Sequence, residues 1–384
     1  MNIKEFEQEG RNILDYWLKY GFRGDSDNFW IYVDENNIPE DSDAASFLIN
    51  ARAVWAFSKG YEVYGDEKYL EGAKRALRGF DVFYKNGGYL QIVNSTKVHR
   101  KTFKMYDHAF AIYGLSQFYK VTKDEKVLKK AFEFFNIIEE KAFDKEFGGY
   151  YDNFDILWNN VHNPNPKYPP ECSKNMNCML HILEAYTLFY EVSQNEKVLD
   201  ALKKLTRVTL DKIVNKETGH LNMYFDRELN SLNDSITCGH DIETSWLLKE
   251  TAEVIGDENL SKEIKETSLL LAKTGFEGAF NHENGGIITE HPKKGVKLYI
   301  WWEQAEAVVG GFNMYQLTGD KKYLEYSEKV WEFIKKHFIE ETGEWAEWYI
   351  PHNTDYITNK IAPWKCPYHN FRMCAEMMRR SASK

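Results

Sequence analysis

The sequence predicts an all-α fold, a closed double ring of six inner and six outer helices with short hairpins or loops gathered on one rim. Three observations predict it. A charged amphipathic segment recurs five times, a nearly all-apolar helix precedes each copy, and the two chain ends supply a sixth pair.

The outer segments are "GDEKYLEGAKRAL", "KDEKVLKKAFEFF", "QNEKVLDALKKL", "GDENLSKEIKETSL" and "GDKKYLEYSEKVW", and their matching leucines lie 58, 71, 61 and 64 residues apart. Each opens on a Gly, Asp or Asn turn and alternates apolar and charged residues at helical spacing. In the last, Tyr323, Tyr326, Val330 and Phe333 share one face. The inner segments are "ARAVWAFSKGYEVY", "HAFAIYGLSQFYKV", "LHILEAYTLFYEV", "IETSWLLKETAEVI" and "QAEAVVGGFNMYQL", apolar nearly all round as helices buried on several sides must be. A sixth, "YHNFRMCAEMMRR", ends the chain without an outer partner, and the N-terminal "IKEFEQEGRNILDYWLKY" can provide one. The expected pairing is a helix over about 3–20 beside one over about 369–380. Gly-rich aromatic stretches ("KNGGYLQ", "KEFGGYYD", "KETGHLNMYFD", "HENGGIITE", "EETGEWAEWY") follow the outer segments and predict the rim hairpins. No linker interrupts the pattern, so residues 1–384 are expected to form one catalytic domain.

Composition narrows the function. Forty-nine basic against 59 acidic residues give a formal charge of −10, and basic residues cluster no further than pairs, which argues against a nucleic-acid partner. The five cysteines are odd in number and lack C-x-x-C spacing, as reduced cytoplasmic thiols do. The N-terminus is charged from the start, and no apolar run is long enough to span a bilayer. A cytoplasmic monomer acting on a small molecule, away from membranes, is expected.

In a helical double ring the rim ends of the inner helices surround a central cavity, so polar residues there are site candidates. Arg52 starts the first inner helix; Tyr106 and His108 the second; Asn177 and His181 the third; His240, Glu243 and Trp246 the fourth; Trp301, Trp302 and Glu306 the fifth; Trp364 and His369 the sixth. One isolated H-x-x-E is more often a capped helix with a satisfied histidine. Polar residues at equivalent places on six helices are harder to ascribe to chance. Indole faces over a polar floor suit a sugar ring, whose C–H face stacks while its hydroxyls take directed hydrogen bonds.

These residues also carry a resemblance. "GHDIETSWLL", "WWEQAEAVVGGFN" and "WKCPYHNFRMC" resemble the motifs of the N-acylglucosamine 2-epimerase superfamily, over nearly the whole chain. The resemblance implies an (α/α)6 barrel and a sugar 2-epimerase that needs neither cofactor nor metal. It implies His240 and His369 as the two acid/base histidines, with Glu243 orienting His240 and Arg52 holding the reacting sugar. As a permanent cation Arg52 is also suited to stabilise developing negative charge. Tyr106, Asn177, His181, Trp246, Trp302, Glu306 and Trp364 would bind substrate. One departure stands out: where the family shows N-T-H-x-H, this chain has Asn177-Cys178-Met179-Leu180-His181, with Met179 in place of the first histidine.

Epimerisation at C2 needs an opened ring, a base to remove the C2 proton, and an acid on the other face to return it. Histidine suits both tasks, its ordinary pKa of about 6.5 lying near neutrality. Other readings remain open at this level. A glycoside hydrolase would use a carboxylate pair drawn from Glu243, Glu306 and Asp107. A metal enzyme would use the H-x-x-E pairs His240/Glu243 and His181/Glu184, and a sugar-binding module needs no bases at all. Within the family, β-1,4-linked disaccharides, mannose or glucose, N-acylhexosamines and aldose–ketose isomerisation all use the same enediolate.

Overall fold

The computed structural model describes residues 1–94, 101–161, 168–232, 235–290, 296–352 and 358–382. Among these, twelve α-helices alternate between two rings. The outer ring comprises α1 (Ile3–Tyr16), α3 (Glu67–Arg78), α5 (Glu125–Ile137), α7 (Glu196–Val208), α9 (Glu258–Ala279) and α11 (Lys321–His337). The inner ring comprises α2 (Phe47–Tyr64), α4 (Met105–Thr122), α6 (Met176–Ser193), α8 (Cys238–Ile255), α10 (Trp301–Thr318) and α12 (His369–Ala382). Inner helices pack in sequence, α2 on α4 on α6 on α8 on α10 on α12, and α12 closes the ring against α2. The expected pairing of the chain ends is present, since α1 packs along α12.

Local sequence explains the repeat. The first five inner helices are each 18 residues long and end on a residue in the left-handed conformation: Gly65, Lys123, Gln194, Gly256 and Gly319. The next residue is always an acid or amide, Asp66, Asp124, Asn195, Asp257 or Asp320, whose side chain accepts a backbone N–H of the following outer helix. Asn2 does the same for α1. Such a cap is worth about 1 kcal/mol and fixes each inner-to-outer turn. The core lies between the rings. Every residue of α2 from Phe47 to Ser58 is buried, whereas α3 buries Tyr69, Leu70, Gly72, Ala73 and Ala76 only. Gly114 of α4 lets the inner helices approach closely, because a Cβ there would lie 2.6 Å from the Ala51 carbonyl oxygen.

Each outer helix leads into a tight antiparallel turn on one rim. The turns are closed by Phe22 and Phe29, Tyr84 and Tyr89, Phe143 and Tyr150, Val214 and Leu221, Phe280 and Ile287, and Ile339 and Trp345. The first of these follows α1 and carries one left-handed glycine, Gly24, as the fourth and sixth do at Gly219 and Gly343. Short extended segments then run straight into inner helices: Ala45–Ser46 into α2, Thr102–Lys104 into α4, Lys174–Asn175 into α6 and Lys297–Ile300 into α10. Each pairs antiparallel with a strand from a later rim loop, which fixes where the inner helices begin.

Candidate active site

The rim ends of the inner helices enclose a cavity of about 240 Å³. Arg52, Tyr106, Asn177, His181, His240, Glu243, Trp302, Trp364 and His369 line it, as the sequence leads one to expect, together with Trp301. The helical repeat places them in two tiers. Tyr106, Asn177, His240, Trp302 and His369 lie among the first three residues of their helices, and Arg52, His181 and Glu243 are each the sixth.

Three expected members lie elsewhere. His108 is buried behind the wall, where its Nε2 accepts Tyr89 N–H at 3.2 Å and its Nδ1 faces Lys104 O at 2.8 Å. It is a satisfied core histidine. Trp246 and Glu306 do not line the cavity; they support it from below. The Trp246 indole donates to Glu306 Oε2 at 3.0 Å, and Glu306 Oε1 lies 2.7 Å from His369 Nδ1. Met179 is fully buried and absent from the lining, so the departure from the family pattern does not reach the cavity.

The orienting partner expected for His240 also differs. His240 Nδ1 is 2.8 Å from Thr237 Oγ1, and Glu243 makes no hydrogen bond to it. Glu243 Oε1 instead accepts from Arg372 Nη2 at 2.5 Å and lies 3.9 Å from His369 Nδ1. Spacing along α8 puts His240 and Glu243 on one face, but a guanidinium arriving from α12 is the stronger partner for a carboxylate than a neutral imidazole. Arg372 binds Glu184, Glu243, Glu306 and Tyr368 together and forms the floor of the site. Glu184 in turn holds His181 Nδ1 at 2.8 Å.

Glu243, Glu306 and His369 are close enough to resemble a metal-ligand set. Arg372 Nη2, at 2.5 and 2.7 Å from the two carboxylates, already supplies the cation there. Arg52 is the opposite case. It is buried, donates to the Tyr106 hydroxyl at 2.6 Å, reaches the Trp364 carbonyl and Cys366 thiol, and packs over the Phe110 and Tyr368 rings at 4.1 and 4.6 Å. No carboxylate pairs with it among the described residues. A buried positive charge without a counter-ion is a ready partner for an oxyanion.

The protonation states follow from burial. Although its ring is partly open to the cavity, His240 is enclosed by protein, and this, with nearby His181, pushes it down to about 3. Burial, then Arg52 and Arg372, hold His369 well below the ordinary histidine value. Burial thus favours the neutral imidazole at both positions. Burial and the neighbouring Glu306 push Glu243 up to about 7, and burial raises Glu306 as well.

Sequence reasoning missed Glu347 and Trp348, which enter the lining from the rim loop after α11. Their signal was the acid- and indole-rich "EWAEW", read as a hairpin and not as a wall. Six lining residues carry a buried polar atom without a partner among the described residues: Arg52 Nε, Asn177 Oδ1, Glu243 Oε2, Trp301 Nε1, Glu347 Oε2 and Trp348 Nε1. Such atoms await a ligand's hydroxyls.

With this geometry established, the likeness to known proteins is informative. Residues 29–373 match the family model of N-acylglucosamine 2-epimerase. The chain is 35% identical to cellobiose 2-epimerase of Ruminococcus albus over 99% of both chains. Its fold superposes on a sugar epimerase from a ruminal bacterium with a TM-score of 0.91 and 33% identity, covering 99% of each chain. The cellobiose 2-epimerase of Bacillus thermoamylovorans B4167 gives 0.89 and 28%, covering 98% of this chain and 99% of that one. The fold is the (α/α)6 barrel of sugar epimerases. The chain belongs to the N-acylglucosamine 2-epimerase family. It is a sugar 2-epimerase, an isomerase acting on a small carbohydrate. No helix among the described residues is long and apolar enough to cross a membrane.

Proposed function

We propose that the chain epimerises the reducing-end residue of β-1,4-linked disaccharides, converting cellobiose to glucosylmannose, with His240 and His369 as the two proton-transfer groups. One observation carries this reading: both histidines line one cavity and flank one indole, Trp302, at ring-centre distances of 4.6 and 5.6 Å. A sugar ring stacked there presents C2 between them. The cavity, about 240 Å³, is under the roughly 300–1,000 Å³ of sites for drug-sized ligands. That suits one reacting ring with a second ring outside. Trp364, 43% exposed at the mouth with Lys104 Nζ 4.6 Å from its ring centre, is the platform for that second ring.

After ring opening, His240 Nε2 accepts the C2 proton and the C1 carbonyl becomes an enediolate oxygen, whose charge Arg52 stabilises. His369 serves the other face. Burial favours its neutral form and raises the pKa of Glu306, whose Oε1 lies 2.7 Å from His369 Nδ1. A proton shared between Glu306 and Nδ1 therefore replaces the one that His369 donates from Nε2, and in the reverse direction it returns to that shared position. Glu243, pushed up to about 7 by burial and Glu306, lies 3.9 Å from the same histidine and is held by Arg372. The reading takes residues 1–384 as one catalytic domain acting as a cytoplasmic monomer. The pairing of α1 with α12 and the five free cysteines support it.

Incubation with cellobiose, mannobiose, mannose and N-acetylmannosamine in heavy water tests the proposal. Epimer formation with deuterium at C2 of the reducing-end ring, fastest for the disaccharides, is expected. Turnover confined to monosaccharides would transfer the assignment to a mannose or hexosamine epimerase. Ketose as the main product would make the enzyme an aldose–ketose isomerase, and binding without exchange would remove catalysis altogether.

A further inference from the structure

A second cluster of chemically potent side chains lies outside the sugar cavity. Cys238 is the first residue of α8, Asp241 follows one turn later, and His220 comes from the rim hairpin before them. Their ligand atoms, Sγ, a carboxylate oxygen and a ring nitrogen, lie within 4.8 Å of one another, and none of the three lines the cavity.

We propose that Cys238, His220 and Asp241 form a binding site for a thiophilic divalent metal ion of the zinc type, between the start of α8 and the rim. Thiolate, imidazole and carboxylate are the donors such an ion takes. Bonds of about 2.0–2.3 Å in a tetrahedral site put ligand atoms about 3.5 Å apart, so side-chain adjustment of roughly an ångström closes the set. Asp241 is already oriented for this. Its Oδ1 accepts Leu221 N–H at 2.9 Å, while Oδ2 faces His220 Nδ1 at 2.7 Å. Water fills the fourth position.

Holding the hairpin to α8 explains two of these residues but not the third. The His220–Asp241 and Leu221–Asp241 hydrogen bonds make that latch without a thiol. Cys238 Sγ hydrogen-bonds to no other described residue and faces the carboxylates of Asp241 and Glu303, an anionic setting that favours a cation. Access comes from the hairpin side, where His220 is 19% exposed and Cys238 half-buried, while Asp241 is fully enclosed. On binding, the thiol gives up its proton to solvent. The proton between His220 Nδ1 and Asp241 passes to His220 Nε2, any proton already on Nε2 leaving to solvent, and the hydrogen bond is replaced by two bonds to the metal. The oxidation state of every atom is unchanged.

Titrating the tag-free full-length protein with Co²⁺ tests the site, because a thiolate–cobalt bond adds a near-ultraviolet charge-transfer band. One equivalent should produce the band, and Zn²⁺ should displace it. Cys238→Ser, which exchanges one atom, should abolish the band while keeping the metal-free thermal midpoint. His220→Asn should weaken cobalt binding at least about tenfold. No band in the wild type, or an equal band in Cys238→Ser, would overturn the proposal. If Cys238→Ser does not fold, His220→Asn decides: unchanged cobalt affinity in that variant would equally overturn it.

Discussion

Glu306 Oε1 lies 2.7 Å from His369 Nδ1, while the other oxygen of the same carboxylate takes the Trp246 indole N–H at 3.0 Å. A carboxylate from α10 thus holds an imidazole from α12, and an indole from α8 holds the carboxylate. Three inner helices converge on one ring nitrogen. Glu306 touches no part of the cavity, so it acts through His369 as a positioning residue.

Glu306→Gln keeps the shape of this contact but cannot hand over a proton. We expect kcat to fall about 10²-fold or more with little change in KM, the scale of a lost acid–base partner. The signature that separates this from a structural defect is isotopic. Residual C2 exchange with solvent deuterium should show the same gluco or manno preference as His369→Ala. A preference matching His240→Ala would detach Glu306 from His369.

Trp364 concerns the second ring. Stacking of this kind is worth on the order of 1 kcal/mol, so Trp364→Ala should raise KM for cellobiose about fivefold and leave KM for mannose near its starting value. Steady-state kinetics with both sugars checks it. An equal rise for both would place the indole over the reacting ring instead.

What could be read before folding, and what could not, divides along a physical line. Helix caps are local: a left-handed residue followed by Asp or Asn declares each inner-to-outer turn, as at Gly256 and Asp257, and the ring followed from counting them. Which helix end faces the axis is also periodic, and Arg52, His181 and Glu243 recur at one position for that reason. Pairing across the axis is not local. Glu243 was expected to serve His240, three residues away, but Arg372, 129 residues away, claims it. His108 looked like a site residue because it begins an inner helix, and only the approach of Tyr89 N–H from a hairpin shows that it faces the core. Glu347 and Trp348 lie on a rim loop, where no period says which side faces inward.

Asp107 offers a pH test of burial. It is fully buried with both oxygens unpartnered, and burial pushes it up to about 7 from an ordinary 3.8. A raised carboxyl pKa means the folded chain holds a proton that the unfolded chain releases. The stability tied to it is complete below an ordinary value of 3.8 and is lost as pH rises through about 7. Asp107→Asn removes the titration. The variant should gain a few degrees of thermal midpoint over wild type at pH 8, from a penalty on the order of 1–4 kcal/mol, and nothing below about pH 4. Calorimetry at both pH values measures the difference, and an equal effect at both would mean that the carboxyl does not titrate in this range.

The two histidines bear the mechanism, and their variants separate its halves. Each serves one face of C2, so His240→Ala and His369→Ala should each stop net epimerisation; a general acid–base step is typically worth 10²–10⁴-fold. The partial reaction survives on one side. With one base left, a sugar that presents its C2 proton to that base still opens, loses the proton and recovers a deuteron on the same face. Its epimer presents the proton to the empty side and cannot exchange. The two variants should therefore show opposite exchange preferences between gluco and manno forms, read by the loss of the C2 proton signal in heavy water. Glu243→Gln should retain both exchanges at reduced rate, because its carboxyl lies 3.9 Å from His369 Nδ1 and bonds to Arg372, not to His240. Should either histidine variant epimerise near the wild-type rate, the proton it was assigned must come from another group on the cavity wall, and Glu347, with a buried unpartnered oxygen there, is the first to replace.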